Sequence, residues 1–387
     1  MKYTLGEICN VVSGGTPSRT TTKFWDGGTI PWIKIGDVKE KYINEADEYI
    51  TQAGLEGSSA KMLSAGTILF TIFATLGEVG ILTIKACTNQ AIAGITIKNQ
   101  SEVLTDYLYY FLKSKKSCVT ALGRGVAQNN INLSILRNFE VPVPVLSMQK
   151  QIADVLDKTK KAIEARQQQL QKLDELVKAR FVEMFGDTEF NTMQWPTKEL
   201  SELCDVGSSK RIYQNELSTE GIPFLRISDL NERIDNIENA PELFIPINRY
   251  NKLNENGLVP TAGDILVTSR GTLGRCYIVR PEDEFYFQDG MISWLSDLNN
   301  QITSLYLSQL FAMSGIQKQI ANLQAGSTVA YLSISMLKKL NIMLPPFDLQ
   351  TQFGAFVEQV NKAKAAAQKA LDEAQLLFDS LMQKYFG

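Results

Sequence analysis

The chain has 387 residues, 44% of them hydrophobic and 21% charged, which suits two or three domains and excludes disordered and fibrous classes. It contains no histidine, and its five cysteines are too widely spaced to signal a zinc site or a disulfide framework, so we predict neither a catalytic nor a metal site. The net charge of −3 means that any nucleic-acid binding must rest on local basic patches. No stretch approaches 18 consecutive apolar residues, and residues 1–20 lack an apolar signal segment, so we expect a cytoplasmic protein.

The second half of the chain repeats the first in the same order of motifs. The longest match pairs residues 149–186 with residues 350–387, without a gap and at an offset of 201 (387 − 186). Shorter matches with drifting offsets join residues 5–11, 30–38, 65–69 and 75–77 to residues 200–206, 222–230, 262–266 and 272–274. A shared scaffold with insertions and deletions in its loops behaves in this way.

Each half is predicted to contain a mixed α/β unit followed by one long helix. Alternating apolar residues and β-forming runs favour strands at residues 31–35, 67–73, 223–227 and 264–268. Short helices are favoured at residues 106–114 and 304–314. We therefore predict the α+β class, with two pseudo-symmetric mixed α/β domains separated by an antiparallel two-helix coiled-coil spacer. The domains span residues 1–146 and 187–347, and the spacer helices span residues 147–186 and 348–387.

Each long helix carries one apolar stripe at a 3-4 spacing, which is typical of a coiled coil. The stripe residues are Ile152, Leu156, Ile163, Leu170, Leu173 and Val177 in the first helix, and Phe353, Val357, Val360, Leu371, Phe378 and Leu381 in the second. Ser147 and Asp348 are the predicted N-caps. Antiparallel pairing is expected because a parallel pair would hold the two ends of the intervening domain roughly 57 Å apart. The alternative is that each stripe packs only on its own globular unit.

Catalytic motifs are missing from the sequence. No glycine-rich phosphate loop and no dinucleotide fingerprint is present. Residues 344–347 (Leu-Pro-Pro-Phe) differ from the Asn-Pro-Pro-Phe motif of adenine methyltransferases at the first position, where leucine cannot form a hydrogen bond to the target amino group. A structural role before the second long helix is therefore favoured for this segment.

Several loops combine cations with small polar residues and glycine. Cationic side chains neutralise phosphates, and Arg, Asn and Gln make bidentate contacts with base edges in the major groove. The candidate DNA-binding residues are Arg19, Lys23, Lys34, Arg124, Gln128, Asn129 and Asn130 in the first half, and Lys210, Arg211, Arg226, Ser269, Arg270, Thr272, Arg275, Ser327, Thr328 and Tyr331 in the second.

The order of these motifs, present twice, resembles the specificity subunit of type I restriction-modification systems. The resemblance rests on the Ile-Pro-Trp/Phe strands, the run at residues 263–274, the glycine-rich loops, and the long helices that end in Phe-Gly. It implies that each globular unit is a target recognition domain for one half of a bipartite DNA sequence, and that the helix pair sets the spacing. It also implies a non-catalytic chain without a cofactor. Two modification subunits would carry S-adenosylmethionine and adenine N6-methylation, and restriction subunits would use ATP and Mg²⁺.

The two halves differ where DNA contacts are expected. Phe73 stands where the second half has Arg270, and residues 128–130 have no chemical likeness to residues 328–331. Different loops on similar scaffolds predict an asymmetric target. The pseudo-twofold relation of the two halves predicts that its half-sites lie on opposite strands. Two alternatives are a self-contained DNA methyltransferase or nuclease, and a coiled-coil scaffold without a role in DNA binding.

Overall fold

The computed structural model describes residues 1–123, 130–237, 239–324 and 330–387, and the chain divides into two compact units. Unit 1 comprises Met1–Gln167 and Gln368–Gly387, and unit 2 comprises Gln168–Ala367. Each unit therefore combines one globular part of the chain with one half of each long helix. Across the described ranges, no helix has both the length and the apolar character needed to cross a membrane.

Unit 1 is built from short strands and helices that precede the first long helix. In chain order they are β1 (Lys2–Thr4), α1 (Leu5–Ile8), β2 (Cys9–Ser13), β3 (Ile30–Ile33), β4 (Tyr42–Ile43), β5 (Glu48–Ile50), α2 (Gln52–Glu56), β6 (Ile68–Thr71), β7 (Val79–Leu82), β8 (Cys87–Thr88), β9 (Ile92–Ile97), α3 (Thr105–Ser114), α4 (Lys116–Gly123), α5 (Leu133–Arg137) and β10 (Glu140–Pro142). The long helix α6 (Leu146–Phe185) follows, and its first part belongs to this unit.

The main sheet of unit 1 has the strand order β2-β9-β6-β7-β4, beside a smaller sheet β5-β3-β8 and the pair β1-β10. Central strand β6 is buried on both faces: Ile68 and Phe70 point into the main core, whereas Leu69 points into a second core. Helix α3 is buried from Tyr107 to Leu112. A helix that is apolar all round must be covered on every side, and α3 is covered by the sheet and by the long helices.

Unit 2 repeats this plan. Its elements are β11 (Thr197–Glu199), β12 (Asp205–Gly207), β13 (Ile222–Leu225), α7 (Ile227–Ile234), β14 (Phe244–Ile245), α8 (Ile247–Glu255), β15 (Ile265–Thr268), β16 (Cys276–Ile278), β17 (Tyr286–Phe287), β18 (Ile292–Ser296), α9 (Ser304–Phe311), α10 (Ser314–Leu323), α11 (Ile334–Lys338) and β19 (Asn341–Met343), followed by the long helix α12 (Phe347–Phe386).

The sheets of unit 2 correspond to those of unit 1, except that the main sheet has four strands in the described residues where unit 1 has five. Their strand orders are β12-β18-β15-β16, β14-β13-β17 and β11-β19. Strand β15 corresponds to β6, because Ile265 and Val267 enter the main core while Leu266 enters a second one. Helix α7 stands where unit 1 has only a 3-10 turn at Ile35–Asp37. The predicted fold class is confirmed.

Helices α6 and α12 have 40 residues each and run antiparallel. In unit 1, Ile152, Leu156 and Ile163 share one core with Phe378 and with the partly buried Leu371 and Leu381. In unit 2, Val177 and the partly buried Leu173 share a core with Phe353, Val357 and Val360. Leu170 is half-buried outside both cores. The stripes therefore contact the other long helix as well as the globular part of their unit, so the alternative that each stripe packs only on its own globular unit is wrong.

The prediction that Ser147 and Asp348 are N-caps is wrong. The helices begin at Leu146 and Phe347, and the carbonyl groups of Val145 and Pro346 accept the first helical hydrogen bonds. Ser147 and Asp348 lie in the first turn instead, where Asp348 favourably faces the positive end of the helix dipole.

A buried glutamine fixes the start of each long helix to its unit. Gln149 Oε1 accepts a hydrogen bond from the Leu104 N–H at 2.9 Å, and its Nε2 donates to the carbonyls of Glu102 and Pro144, each at 2.8 Å. Gln350 makes the same contacts to the N–H of Thr303 and to the carbonyls of Gln301 and Pro345. Both glutamines are 0% exposed. Each glutamine therefore forms hydrogen bonds with backbone groups just before α3 or α9 and just before the long helix.

We expect Gln350→Ala to lower the free energy of unfolding by about 1–3 kcal/mol, because it leaves buried backbone donors and acceptors without partners. Urea unfolding followed by circular dichroism measures this change. Gln352→Ala is the matched control, since Gln352 is exposed on the same helix and its loss should change stability by less than about 0.5 kcal/mol. Equal urea midpoints for the two variants would contradict the prediction.

Candidate nucleic-acid interface

A buried threonine holds the same turn in both units. In unit 2, Thr268 Oγ1 donates to the Thr272 carbonyl at 2.5 Å and accepts from the Arg275 N–H at 3.0 Å. In unit 1, Thr71 Oγ1 donates to the Thr75 carbonyl and accepts from the Glu78 N–H. These hydrogen bonds close the β15-β16 and β6-β7 hairpins in the same way.

The two hairpins present different residues at their tips. Phe73 and Arg270 occupy equivalent positions, and each forms an isolated antiparallel bridge, Phe73 with Asn130 and Arg270 with Tyr331. Arg270 is exposed, and its guanidinium carbon lies 5.2 Å from the centroid of the Tyr331 ring. The scaffold therefore places an apolar ring in one unit where the other has a cation on a tyrosine.

Three of the candidate arginines in unit 2 form ion pairs with carboxylates. Arg226 bonds Asp229 through Nε and Nη2 and bonds Glu242 through Nη2 at 2.7 Å, and these hydrogen bonds raise its pKa. Arg275 bonds Asn231 and Asp235, and Arg211 Nε donates to Asp289 at 2.9 Å. A guanidinium with such partners has fewer donors left for a phosphate or a base.

Other candidates in unit 2 are free to meet a ligand. Thr272 and Arg270 are exposed. The backbone of Lys210 is fixed, because its N–H donates to Tyr286 Oη at 2.8 Å and its carbonyl accepts from the same hydroxyl. The Lys210 side chain is exposed and has no ion-pair partner within the described part of the chain.

The side chain of Ser269 is buried, contrary to the prediction that it contacts DNA. Its residue is 1% exposed, and its hydroxyl lies 2.7 Å from the Ser293 hydroxyl inside the unit. The side chain therefore cannot contact DNA directly in this conformation. Side chains of successive residues in extended backbone point in opposite directions, so Ser269 points inward although its neighbour Arg270 is exposed.

Arg19, Lys23 and Lys34 are the candidate cations of unit 1 that lie in the described residues, and their contacts differ. Arg19 Nη1 donates to Glu48 at 2.5 Å, and Lys34 bonds the same carboxylate at 3.2 Å. The hydrogen bond to Glu48 raises the pKa of Lys34. Lys23 is exposed and, among the described residues, has no ion-pair partner.

Five candidates fall on segments outside the described residues. They are Arg124, Gln128, Asn129, Ser327 and Thr328. Asn130 and Tyr331, which follow these segments, are half-buried and bridge to the hairpin tips.

Sequence reasoning missed a buried lysine in unit 1. Lys41 Nζ lies 2.7 Å from Asp106 and 2.6 Å from Asp157, and Tyr110 Oη donates to Asp157 at 2.5 Å. Burial lowers the pKa of Lys41, but the hydrogen bonds to Asp106 and Asp157 outweigh this effect and raise it overall. No local pattern could have revealed this network, because Lys41 and Asp157 lie 116 positions apart in the chain.

A cavity of about 580 Å³ in unit 2 is lined by charges of both signs. Arg226, Arg233 and Arg280 line it together with Asp229, Glu232, Glu242, Glu282 and Asp283. Carboxylates outnumber the guanidinium groups, so the cavity does not suit a phosphate. Within the described ranges, no group of three or more acidic or cysteine side chains could hold a metal ion.

A family model described as the type I restriction modification DNA specificity domain matches residues 1–175 and again residues 193–374. The type I restriction enzyme MjaIX specificity subunit of Methanocaldococcus jannaschii is 26% identical, over 98% of this chain and 90% of its own length. The type I restriction enzyme EcoR124I/EcoR124II specificity subunit of Escherichia coli is 29% identical, over 40% of this chain and 39% of its own length.

A solved structure shares the fold across the whole chain. The type I restriction-modification S subunit from M. genitalium has a TM-score of 0.61 at 18% identity and covers 100% of this chain and 96% of its own. A second structure, from a study of complex assembly in the type I R-M system, has a TM-score of 0.57 at 16% identity.

Substitution of two candidate arginines should separate structural from accessible cations. We expect Arg226→Ala to lower the melting temperature by roughly 2–4 °C, because it leaves Asp229 and Glu242 without a cation, a loss of up to about 1 kcal/mol for a half-exposed network. Arg270→Ala should leave the melting temperature unchanged within about 1 °C, since no carboxylate depends on it in the described residues. Differential scanning calorimetry on the full chain measures both, and the reverse order would refute the assignment.

Proposed function

Because this chain belongs to the family of type I restriction modification DNA specificity domains, we propose that it is the sequence-recognition subunit of a type I restriction-modification complex. Each unit recognises one half of a bipartite target in double-stranded DNA. The observation that carries this proposal is that the family match occurs twice, on two units with the same threonine-held hairpin. Two similar scaffolds in one chain suit a target with two half-sites.

The two half-sites differ in sequence. Support for this asymmetry comes from the hairpin tips, where Phe73 beside Asn130 corresponds to Arg270 beside Tyr331. A phenylalanine offers apolar contact, for example to a thymine methyl group, whereas an arginine donates hydrogen bonds to guanine or phosphate. Because the long helices run antiparallel, we propose that the half-sites lie on opposite strands.

Contacts to the DNA backbone come from the cations that carboxylates do not occupy. Lys23, Lys210 and Arg270 are the strongest candidates, since all three are exposed and none has an ion-pair partner in the described part of the chain. The net charge of −3 requires such local attraction.

The helix pair sets the spacing of the half-sites and docks two modification subunits. Support for the spacing role is that α6 and α12 have the same length and align without a gap. Support for docking is a pair of leucines at equivalent helix positions, Leu176 and Leu377, which are 46% and 52% exposed. Leucines outside the core of a helix pair suit a protein partner, and two equivalent positions suit two copies.

The chemistry belongs to the partner subunits in this proposal. The modification subunits bind S-adenosylmethionine and methylate adenine N6, and restriction subunits use ATP and Mg²⁺ for cleavage. The chain itself has no histidine to act as a general base, which supports a non-catalytic role.

Methylation mapping tests the proposal. Co-expression of the chain with its modification subunit should produce one bipartite, asymmetric methylation motif, detected by long-read sequencing of methylated adenines. Replacement of residues 1–146 with the corresponding part of a relative should change one half-site and leave the other half-site and the gap unchanged.

Two controls separate the alternatives. Methyl transfer by the purified chain alone would favour a self-contained enzyme. DNA binding by the assembled complex that survives charge reversal at Lys23, Lys210 and Arg270 together would favour a scaffold without a DNA role.

A matched insertion in both helices tests the spacing role. Seven extra residues after Gln167 and seven after Ala367 should lengthen the pair by roughly 10 Å while keeping the heptad phase. The gap between half-sites should then increase by about three base pairs, at 3.4 Å per base pair. The same methylation mapping measures the gap, and altered half-sites with an unaltered gap would contradict the prediction.

A further inference from the structure

Arg19 is confined although its side chain is 54% exposed. Its guanidinium carbon lies 3.8 Å from the centroid of the Trp25 ring and 4.9 Å from that of Trp32, and its Nη1 donates to Glu48 Oε2 at 2.5 Å. A long exposed side chain normally samples many rotamers. Here one face and one edge of the guanidinium are held before any ligand binds.

The residues that hold Arg19 are themselves fixed. Trp25 Nε1 donates to the Ser18 carbonyl at 3.0 Å, and Trp32 Nε1 donates to the Gly15 carbonyl at 2.9 Å. The two rings meet edge to face at 5.2 Å, and Trp32 is buried. Glu48 lies on β5 opposite Trp32 on β3. The hydrogen bond from Arg19 lowers the pKa of Glu48, which therefore stays ionised at neutral pH.

Gly15 ties the same loop to the rest of the unit. A Cβ atom at Gly15 would lie 2.3 Å from Ser59 Oγ and 2.4 Å from the Ala60 backbone, so the loop backbone is packed directly on this segment. Close backbone packing of this kind requires glycine. The start of the loop that carries Arg19 is therefore fixed to the unit, which favours recognition that depends on position.

The fixed position of the Arg19 guanidinium affects a phosphate contact and a base contact differently. A phosphate contact needs positive charge, and the exposed Lys23 on the same loop can supply it. Base recognition needs two N–H donors in a fixed plane, and a bidentate arginine matches O6 and N7 of guanine. Glu48 offsets part of the charge of Arg19 but contacts only one edge of its guanidinium, which has five N–H donors. The arrangement weakens a phosphate contact and preserves a base contact.

We propose that Arg19 recognises a guanine in the half-site of unit 1, and that Trp25 and Glu48 are positioning residues that orient its guanidinium. This inference rests on the proposed function and extends it by assigning one side chain to one kind of base. Preorganised contacts of this kind give the sharpest discrimination, because little rotamer freedom is lost on binding.

The test uses the full chain in complex with its modification subunit and maps methylated adenines for Arg19→Lys and Arg19→Ala. The half-site of unit 1 is identified by the exchange of residues 1–146. We expect both variants to reduce discrimination about 5- to 150-fold at one guanine of that half-site, the range for loss of a bidentate contact. All other positions should remain as in the unaltered chain. Trp25→Leu and Glu48→Gln, which keep Arg19 but release it, should show a smaller loss at the same position.

Lys23→Ala is the matched control from the same loop. It should leave the motif unchanged, weaken binding to all sequences equally and reduce the salt dependence of binding by about one unit of slope. The inference is overturned if Arg19→Lys keeps the full motif, if it behaves like Lys23→Ala, or if the half-site contains no guanine. If Arg19→Ala unfolds, Arg19→Lys still tests the inference, because the lysine keeps a cation near Glu48. Absence of a bipartite motif in the unaltered complex would instead refute the proposed function.

Discussion

Burial of both long helices in the cores of the two units is the constraint on which the rest of the structure depends. In unit 2, Phe181 and Phe185 of α6 meet Phe353 of α12 and Tyr306 of α9, with ring centroids 4.8–5.6 Å apart. In unit 1, Phe378 and Phe386 of α12 pack on the tyrosines of α3. Unit 1 therefore joins both ends of the chain, and its core is complete only after residues 368–387 have been synthesised. Formation of contacts at such sequence separation is slow, because loop closure precedes any gain from burial.

The two units keep their scaffold and vary the residues that face a ligand. The buried glutamines at positions 149 and 350 make the same three hydrogen bonds, and Thr71 and Thr268 hold the same turn. Phe73 and Arg270, at the tips of those turns, have no chemical likeness. A buried polar group is constrained by every partner it must satisfy, whereas an exposed tip is constrained only by what it binds. A single architecture can thus carry two recognition surfaces.

Acidic residues decide which cations are available. Arg226, Arg275 and Arg211 are held by carboxylates, so they stabilise the loops on which they lie. Arg270 and Lys210 remain exposed, and Arg19 combines a carboxylate partner with an exposed edge. A chain with a net charge of −3 can therefore present small positive surfaces without becoming a basic protein. Placement of charge matters more than its total.

The sequence by itself determined the duplication, the strands around residues 68 and 265, and the two long helices with their apolar stripes. These features depend on local periodicity and on turn residues, which the linear chain displays directly. Tertiary structure alone decided which candidate residues are accessible. Arg226 meets Glu242, Ser269 faces inward to Ser293, and Lys41 meets Asp157. Each of these partners lies between 16 and 116 positions away along the chain, at distances where no periodic pattern links two residues. Such pairs exist only once the chain has folded, because the fold brings their charges and hydroxyl groups together.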